Sequence, residues 1–194
     1  MAPNGNGHSD NFQMQEWKDF YLKIWDIDVV IGELLIPKNK KEGFDQLIIM
    51  LRGLTLPKIV SKMREHMEVR LWENEDWLDE IDSDREIYKQ DYAVRIRGEK
   101  EADKEFASKS AIDLGQEKIC GITLPEQLIY TLFYWWKFQD HLDMEGVTLC
   151  SGSRHLDMRK VPWVLWDCNR KRLVVFWFLV GFSGAGLKTR EVIL

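Results

Sequence analysis

The chain is 194 residues long, 45% hydrophobic, 30% charged and 12% aromatic, with a formal charge of −5. That length suits one domain able to bury a sizeable core without a disulfide or metal, and the composition excludes disordered, collagen-like and low-complexity classes. The acidic total speaks against general nucleic-acid coating, while nine tryptophans mean a large aromatic payload in a core or at a contact surface.

Residues 1–11 read as a flexible arm, without the basic and apolar succession of a signal peptide. Asp10 is placed to cap a helix over 12–25, where Trp17, Phe20, Tyr21, Ile24 and Trp25 share one face. DVVIGELLIP, ending at Pro37, and FDQLIIML flank a polar, Gly-containing turn and predict a hairpin. The segment Gly53-Leu54-Thr55-Leu56-Pro57 recurs as Gly121-Ile122-Thr123-Leu124-Pro125. In both copies Thr can cap a helix and Pro fits the first turn, and Glu126 completes a capping box with Thr123. Each copy leads through a helix to a short strand candidate, MEVRLW and VTLCSG. An internal duplication and convergent helix-start chemistry explain these five residues equally well.

Next in order, DYAVRIRG reads as a strand and EADKEFASKSAIDL as a short amphipathic helix. The helix EQLIYTLFYWWKFQDHL is apolar nearly all round, so it is buried or covered. VPWVLWD and RLVVFWFLV flank the polar turn Cys168–Lys171 and predict a second hairpin. The longest uncharged run, Leu173 to Leu187, is too short and too glycine-broken to cross a membrane. The elements do not alternate regularly. They predict an α+β fold, a single domain over 12–194 with an antiparallel or mixed sheet packed on one largely buried helix. Residues 12–90 and 91–194 offer a further division into sub-units.

Charge is uneven. From Glu73 to Glu86 eight acids face the single base Arg85, and beyond His141 eight bases outnumber five acids. Asp82-Ser83-Asp84-Arg85-Glu86 starts like a calcium loop, but Ile87 stands where the turn needs Gly and Ala93 where a bidentate Glu is needed. Three cysteines without a C-x-x-C pair suit a reducing cytoplasm.

The densest polar cluster runs from His141 to Asp157. Cys150, at a strand end, is a candidate nucleophile, with His141 or His155 as base and Asp143 or Asp157 orienting it. Ser151, Ser153, Arg154 and Asp157 are candidate ligands for an anion or small molecule. The known templates fail. Position 156 is Leu where a phosphatase cradle needs Arg, no glycine stands two before Cys150, and the zinc spacing is absent. Cys150 as a small buried apolar residue, with the serines in turn bonds, accounts for the cluster as well. Gly181 to Lys188 lacks the phosphate-loop pattern and reads as a flexible C-terminal connection. No metal or cofactor is called for, and neither His8 nor His66 has a role on its own.

GITLPEQLIY, HLD, VTLCSGSR, VPWVLWD and LKTREV, preceded by LIPKNKKEGFDQLIIM and YAVRIRG, resemble a recurrent set in small bacterial proteins without an established activity. The resemblance runs in order from about Ile36 and implies a common fold, with no functional residue carried over. The chain departs from that set at His155 to Lys160, where members show a Tyr-Ser-Asp-Gly-like turn.

Together these observations predict a cytoplasmic, non-catalytic binding domain whose partner is another protein or a second copy, without membrane contact. The first alternative is a small enzyme or ligand-binding domain centred on Cys150 to Arg154. The second is nucleic-acid contact by the basic C-terminal segment, with Trp163, Trp166 and Trp177 for stacking. It is disfavoured because half of those tryptophans alternate into the core.

Overall fold

The computed structural model describes residues 6–30, 34–38, 41–72, 76–85, 89–157 and 159–194, with backbone alone for 6–9. Glu73, Glu75, Glu86 and Ile87, which figured in the acidic run, lie outside these residues.

Helix α1 (Asn6–Trp25) starts earlier than its sequence pattern predicted, so positions 6–11 of the expected arm are helical. Asp10 therefore lies inside the helix and caps nothing; its carboxylate pairs with Arg95 at 2.7 Å. The predicted face is fully buried at Trp17, Phe20 and Tyr21. Trp17 Nε1 donates to Leu47 O and the Tyr21 hydroxyl to Ile49 O, which tie the helix to strand β1 (Gln46–Met50).

The first predicted hairpin does not form. The described residues 26–30 and 34–38 are irregular: Val29 is buried and Ile27, Leu34 and Ile36 pack on the large core, while Val30 and Leu35 point into solvent, and none of them pairs with β1. Pro37 cannot donate to a ladder; its carbonyl instead accepts from Arg95 Nε. Helix α2 (Leu56–Arg64) begins as expected, with Thr55 Oγ1 accepting from Lys58 N and Pro57 in the first turn. Strand β2 (Glu68–Leu71) follows, then a 3-10 turn at Asp76–Glu80, β3 (Ile81–Ser83) and β4 (Tyr92–Ile96). It is β4 that pairs antiparallel with β1.

The expected amphipathic helix after β4 is divided. Lys104–Phe106 makes one 3-10 turn, Ser108 takes a positive φ of 63°, and Ser110 starts α3 (Ala111–Gln116) with its own capping box to Asp113. Helix α4 (Leu124–Phe138) has the predicted capping box of Thr123 and Glu126, and every residue from Leu124 to Phe133 is buried. Five strands complete the chain: β5 (Val147–Leu149), β6 (Ser153–His155), β7 (Lys160–Asp167), β8 (Arg172–Leu179) and β9 (Leu187–Lys188).

The fold is α+β. Its main sheet has the order β2-β8-β7-β5-β9 and is mixed: β7 runs antiparallel to β8 and β5, while β2 is parallel to β8 and β9 to β5. The β7–β8 hairpin is the one predicted. The pairs β1–β4 and β3–β6 form two small sheets. All three sheets draw strands from both sides of residue 90, so a division into 12–90 and 91–194 does not correspond to separate packing units.

Strand alternation sends β7 and β8 side chains to two cores. Val164, Trp166, Leu173 and Val175 join α1, α2 and α4 in the large core on the inner face. Val161 and Trp163 meet Phe106, Ala111 and Leu114 in a small core on the outer face. No helix among the described residues is long and apolar enough to cross a membrane.

Candidate functional site

The side chains of His141 to Asp157 do not assemble into one reactive centre. Cys150 lies in the large core with no exposed surface, and burial, reinforced by Asp143 and Glu126, pushes its thiol well above the ordinary range. A thiol held neutral is a poor nucleophile. Among the described residues, no hydrogen bond or ion pair joins Cys150 to a histidine. His141 stacks on the Trp166 ring with centroids 3.3 Å apart, and burial lowers its pKa against the opposing pull of Asp140. His155 sits elsewhere, between Glu80 at 3.0 Å and Asp157 at 3.3 Å. Of the predicted combinations, only His155 and Asp157 meet.

The predicted ligand residues are spent on the fold. Arg154 donates through Nη1 to the carbonyls of Ser151 and Ser153, and its partial burial lowers its pKa despite Asp84. Ser151 Oγ bonds Thr189 Oγ1 at 2.9 Å. Ser153 Oγ bonds Ser83 Oγ and accepts from Leu124 N, adding a second cap at the start of α4. Asp157 accepts from Arg159 N in the following turn.

Asp143 has the most demanding environment. It is buried at a positive φ of 54°, accepting from Gln127 Nε2 at 2.8 Å and from Arg190 Nη2 at 2.7 Å. Burial raises its carboxyl, and Arg190 opposes that rise. Arg190 is itself sealed, donating to the carbonyls of Glu99, Lys100 and Glu101. Burial alone would lower its pKa; Asp143 and Tyr130 more than offset this, so the guanidinium stays charged. Of the expected connection from Gly181 to Lys188, 181–186 is irregular and mostly exposed, while Leu187–Lys188 forms β9 paired with β5; the buried Arg190 salt bridge follows it. Arg190 also leaves the list of surface bases.

The motifs of the resemblance interlock at this point. Ile122 N donates to Arg190 O, Gly152 N to Ile122 O, and Val192 N to Cys120 O. Gly121 and Gly152 permit the crossing: a Cβ on Gly121 would lie 1.7 Å from Ser151 Oγ, and one on Gly152 2.5 Å from Gly121 O. Such distances leave glycine as the residue that fits. The segments GITLPE, HLD, TLCSGSR and LKTREV thus read as parts of one buried clasp.

A second polar cluster escaped the sequence reading. Arg85 grips both Glu126 oxygens through Nε at 2.6 Å and Nη2 at 2.7 Å, and also donates to Gly121 O and Cys120 Sγ. Glu126 further accepts from Tyr92 Oη and Thr123 N, so both its oxygens are fully used. Arg85 stays charged although burial opposes it, because Glu126 is so close. The signal was present: Arg85 is the lone base of the acidic run, and Glu126 the capping-box acid. Beside the cluster a cavity of about 530 Å³ opens between Ile36, Pro37, Arg85, Tyr92 and Leu194. Another of about 460 Å³ lies between His66, Trp135, His141 and Cys168. Neither is lined by Cys150, Ser151, Ser153 or Arg154. No group of three or more histidines, cysteines and acids able to hold a metal occurs among the described residues.

A cluster of exposed aromatic rings lies on the outer face of the main sheet. The small core covers its β7–β5–β9 side. Toward β2 the face carries Trp72 at 55% exposure, then Phe176, then Phe178 and Phe182 at 38% each. Trp163 touches Phe176, Phe178 and Phe182, with centroids 5.0–5.2 Å apart, and joins them into one sheet of rings. Ile112 of α3 is also exposed. Trp163 and Trp166 are themselves nearly sealed, and Lys160 lies over the Trp177 ring at 3.7 Å, so these tryptophans do not form a stacking platform. The chain matches no known family model, no curated protein and no solved structure.

Proposed function

We propose that this domain acts by binding another protein through the uncovered part of the outer sheet face, and not by catalysis. The observation that carries the reading is the ring cluster of Trp72, Phe176, Phe178 and Phe182 on one sheet face, where Trp72, Phe178 and Phe182 are exposed and the rings join through one another and Trp163. The exposed rings of Phe12 and Phe138 lie outside this cluster. Aromatic rings provide broad, stiff contact area, which suits them to interface centres. The sealed, neutral Cys150 and its separation from both histidines support the absence of nucleophilic chemistry. Unpaired thiols at Cys120, Cys150 and Cys168 fit a reducing cytoplasm. The likeness to small bacterial proteins rests on the clasp segments and supports a shared fold more than a shared ligand.

The test compares the native domain with a Phe178→Ser/Phe182→Ser variant in a partner-capture and calorimetry experiment. The reading expects the captured protein to be lost while thermal unfolding stays cooperative. Unchanged capture by the variant, or a turnover activity abolished by Cys150→Ala, overturns it.

A further inference from the structure

We infer that the free edge of β2 pairs with the same edge of a second copy, antiparallel and centred on Val69. This inference concerns the rim of the main sheet and goes beyond the outer-face reading.

Among the described residues β2 is the terminal strand of that sheet and pairs with β8 alone. Trp72 N donates to Val175 O. Strand alternation then directs the backbone groups of Val69 and Leu71 away from β8, toward the open side. Among the described residues no backbone hydrogen bond caps that side of Glu68–Leu71. Such an edge is a template for another strand unless it is blunted.

Charge decides which strand it accepts. The exposed side chains along β2 are Glu68 and Arg70, opposite in sign and two residues apart, on the same face. An edge of like charges would repel a second copy; this one is its own complement. A two-fold axis at Val69 sets each Glu68 opposite the other copy's Arg70, and lets the two Val69 residues exchange both backbone bonds. Centring on Arg70 would oppose two guanidiniums and bring together backbone groups already engaged by β8. The favoured register is therefore the one that closes both ladders and charges, and closure by a two-fold prevents open-ended growth. The product is a continuous ten-stranded sheet, from two copies of five strands.

The test is sedimentation velocity over a concentration series with charge-reversed variants. Glu68→Arg or Arg70→Glu turns both cross-strand pairs into like-charge pairs and is expected to weaken dimerisation by about tenfold or more. The double variant Glu68→Arg/Arg70→Glu restores complementarity and is expected to dimerise within about threefold of the native chain. Both side chains are solvent-exposed, and matched unfolding curves confirm that the variants fold. Hydrogen exchange of the Val69 and Leu71 amides is expected to slow as native protein concentration rises. A native chain monomeric throughout the series overturns the inference. So does a dimer indifferent to single reversals, or a double variant no better than either single. Phe178→Ser/Phe182→Ser should leave the dimer intact, which separates failure here from failure of the outer-face reading.

Discussion

The two faces of the main sheet are made by the same residues of β7 and β8 taken alternately. On the inner face Leu173, Val175, Val164 and Trp166 meet three helices and disappear from solvent. On the outer face Trp163 and Val161 are covered by the single short helix α3 and a 3-10 turn, Phe176 packs at the margin of that cover, and Phe178 and Trp72 run out beyond it. Hydrophobicity is similar on the two sides; what differs is how much chain is available to lie over each. An apolar side chain thus stabilises the fold on one face and stays available to a partner on the other.

The largest effect expected from breaking this contrast is at the clasp beneath the inner side. Arg190→Met leaves Asp143 buried without its counter-charge and is expected to cost about 3–5 kcal/mol, read as a lower urea midpoint. Replacing both members, Asp143→Leu with Arg190→Met, should recover much of that loss, since no uncompensated charge then remains. A double variant as unstable as the single would show that the pair does more than neutralise itself.

A matched pair on one strand measures the two faces directly. Leu173→Ala, on the inner face, should cost about 2–5 kcal/mol through lost burial and a cavity. Phe178→Ala, on the outer face of the same strand, should cost clearly less, about 0.5–1.5 kcal/mol. Equal costs would mean that the outer face of β8 is covered in solution.

The smallest effect is a pH dependence at the margin of the inner face. Burial lowers the pKa of His141 below its ordinary 6.5, with Asp140 opposing and Lys100 assisting. Below pH 6.5 the unfolded chain binds this proton more readily than the folded one, so stability falls as pH drops through the folded pKa. Above 6.5 the contribution is fully present. His141→Phe, which keeps a ring on Trp166, should flatten the fall below about pH 6.5 relative to the native chain. An unchanged slope would place the titration elsewhere.

Local chemistry was legible wherever it is complete within a few residues. The Thr55 and Thr123 caps, the Thr123–Glu126 box, the all-round apolar α4 and the β7–β8 hairpin follow from neighbours in the chain. The α+β class followed from their order. Partner choice over distance was not legible: FDQLIIML looked paired with the run before it, yet β1 joins β4, with Gln46 opposite Ile96 and Met50 opposite Tyr92, a pairing set by packing. The same limit explains Cys150 to Arg154. A thiol, two serines and an arginine at a strand end have the composition of an anion site, but composition does not say whether their polar atoms face a ligand or each other.

What the sequence by itself determined is the α2 and α4 helices with their threonine caps, the β7–β8 hairpin and the excess of aromatic residues, because propensity, capping and periodicity act within one or two turns. Only the tertiary structure decided the fate of the charges and rings. Arg85 and Arg190, apparent surface bases, became buried counter-ions of Glu126 and Asp143 once distant segments closed over them. The tryptophans of β7 went to opposite cores, and Trp72 and Phe178 were left outside. The reason is geometric: burial depends on which segments return to cover a face, and residues far apart in the chain settle that together.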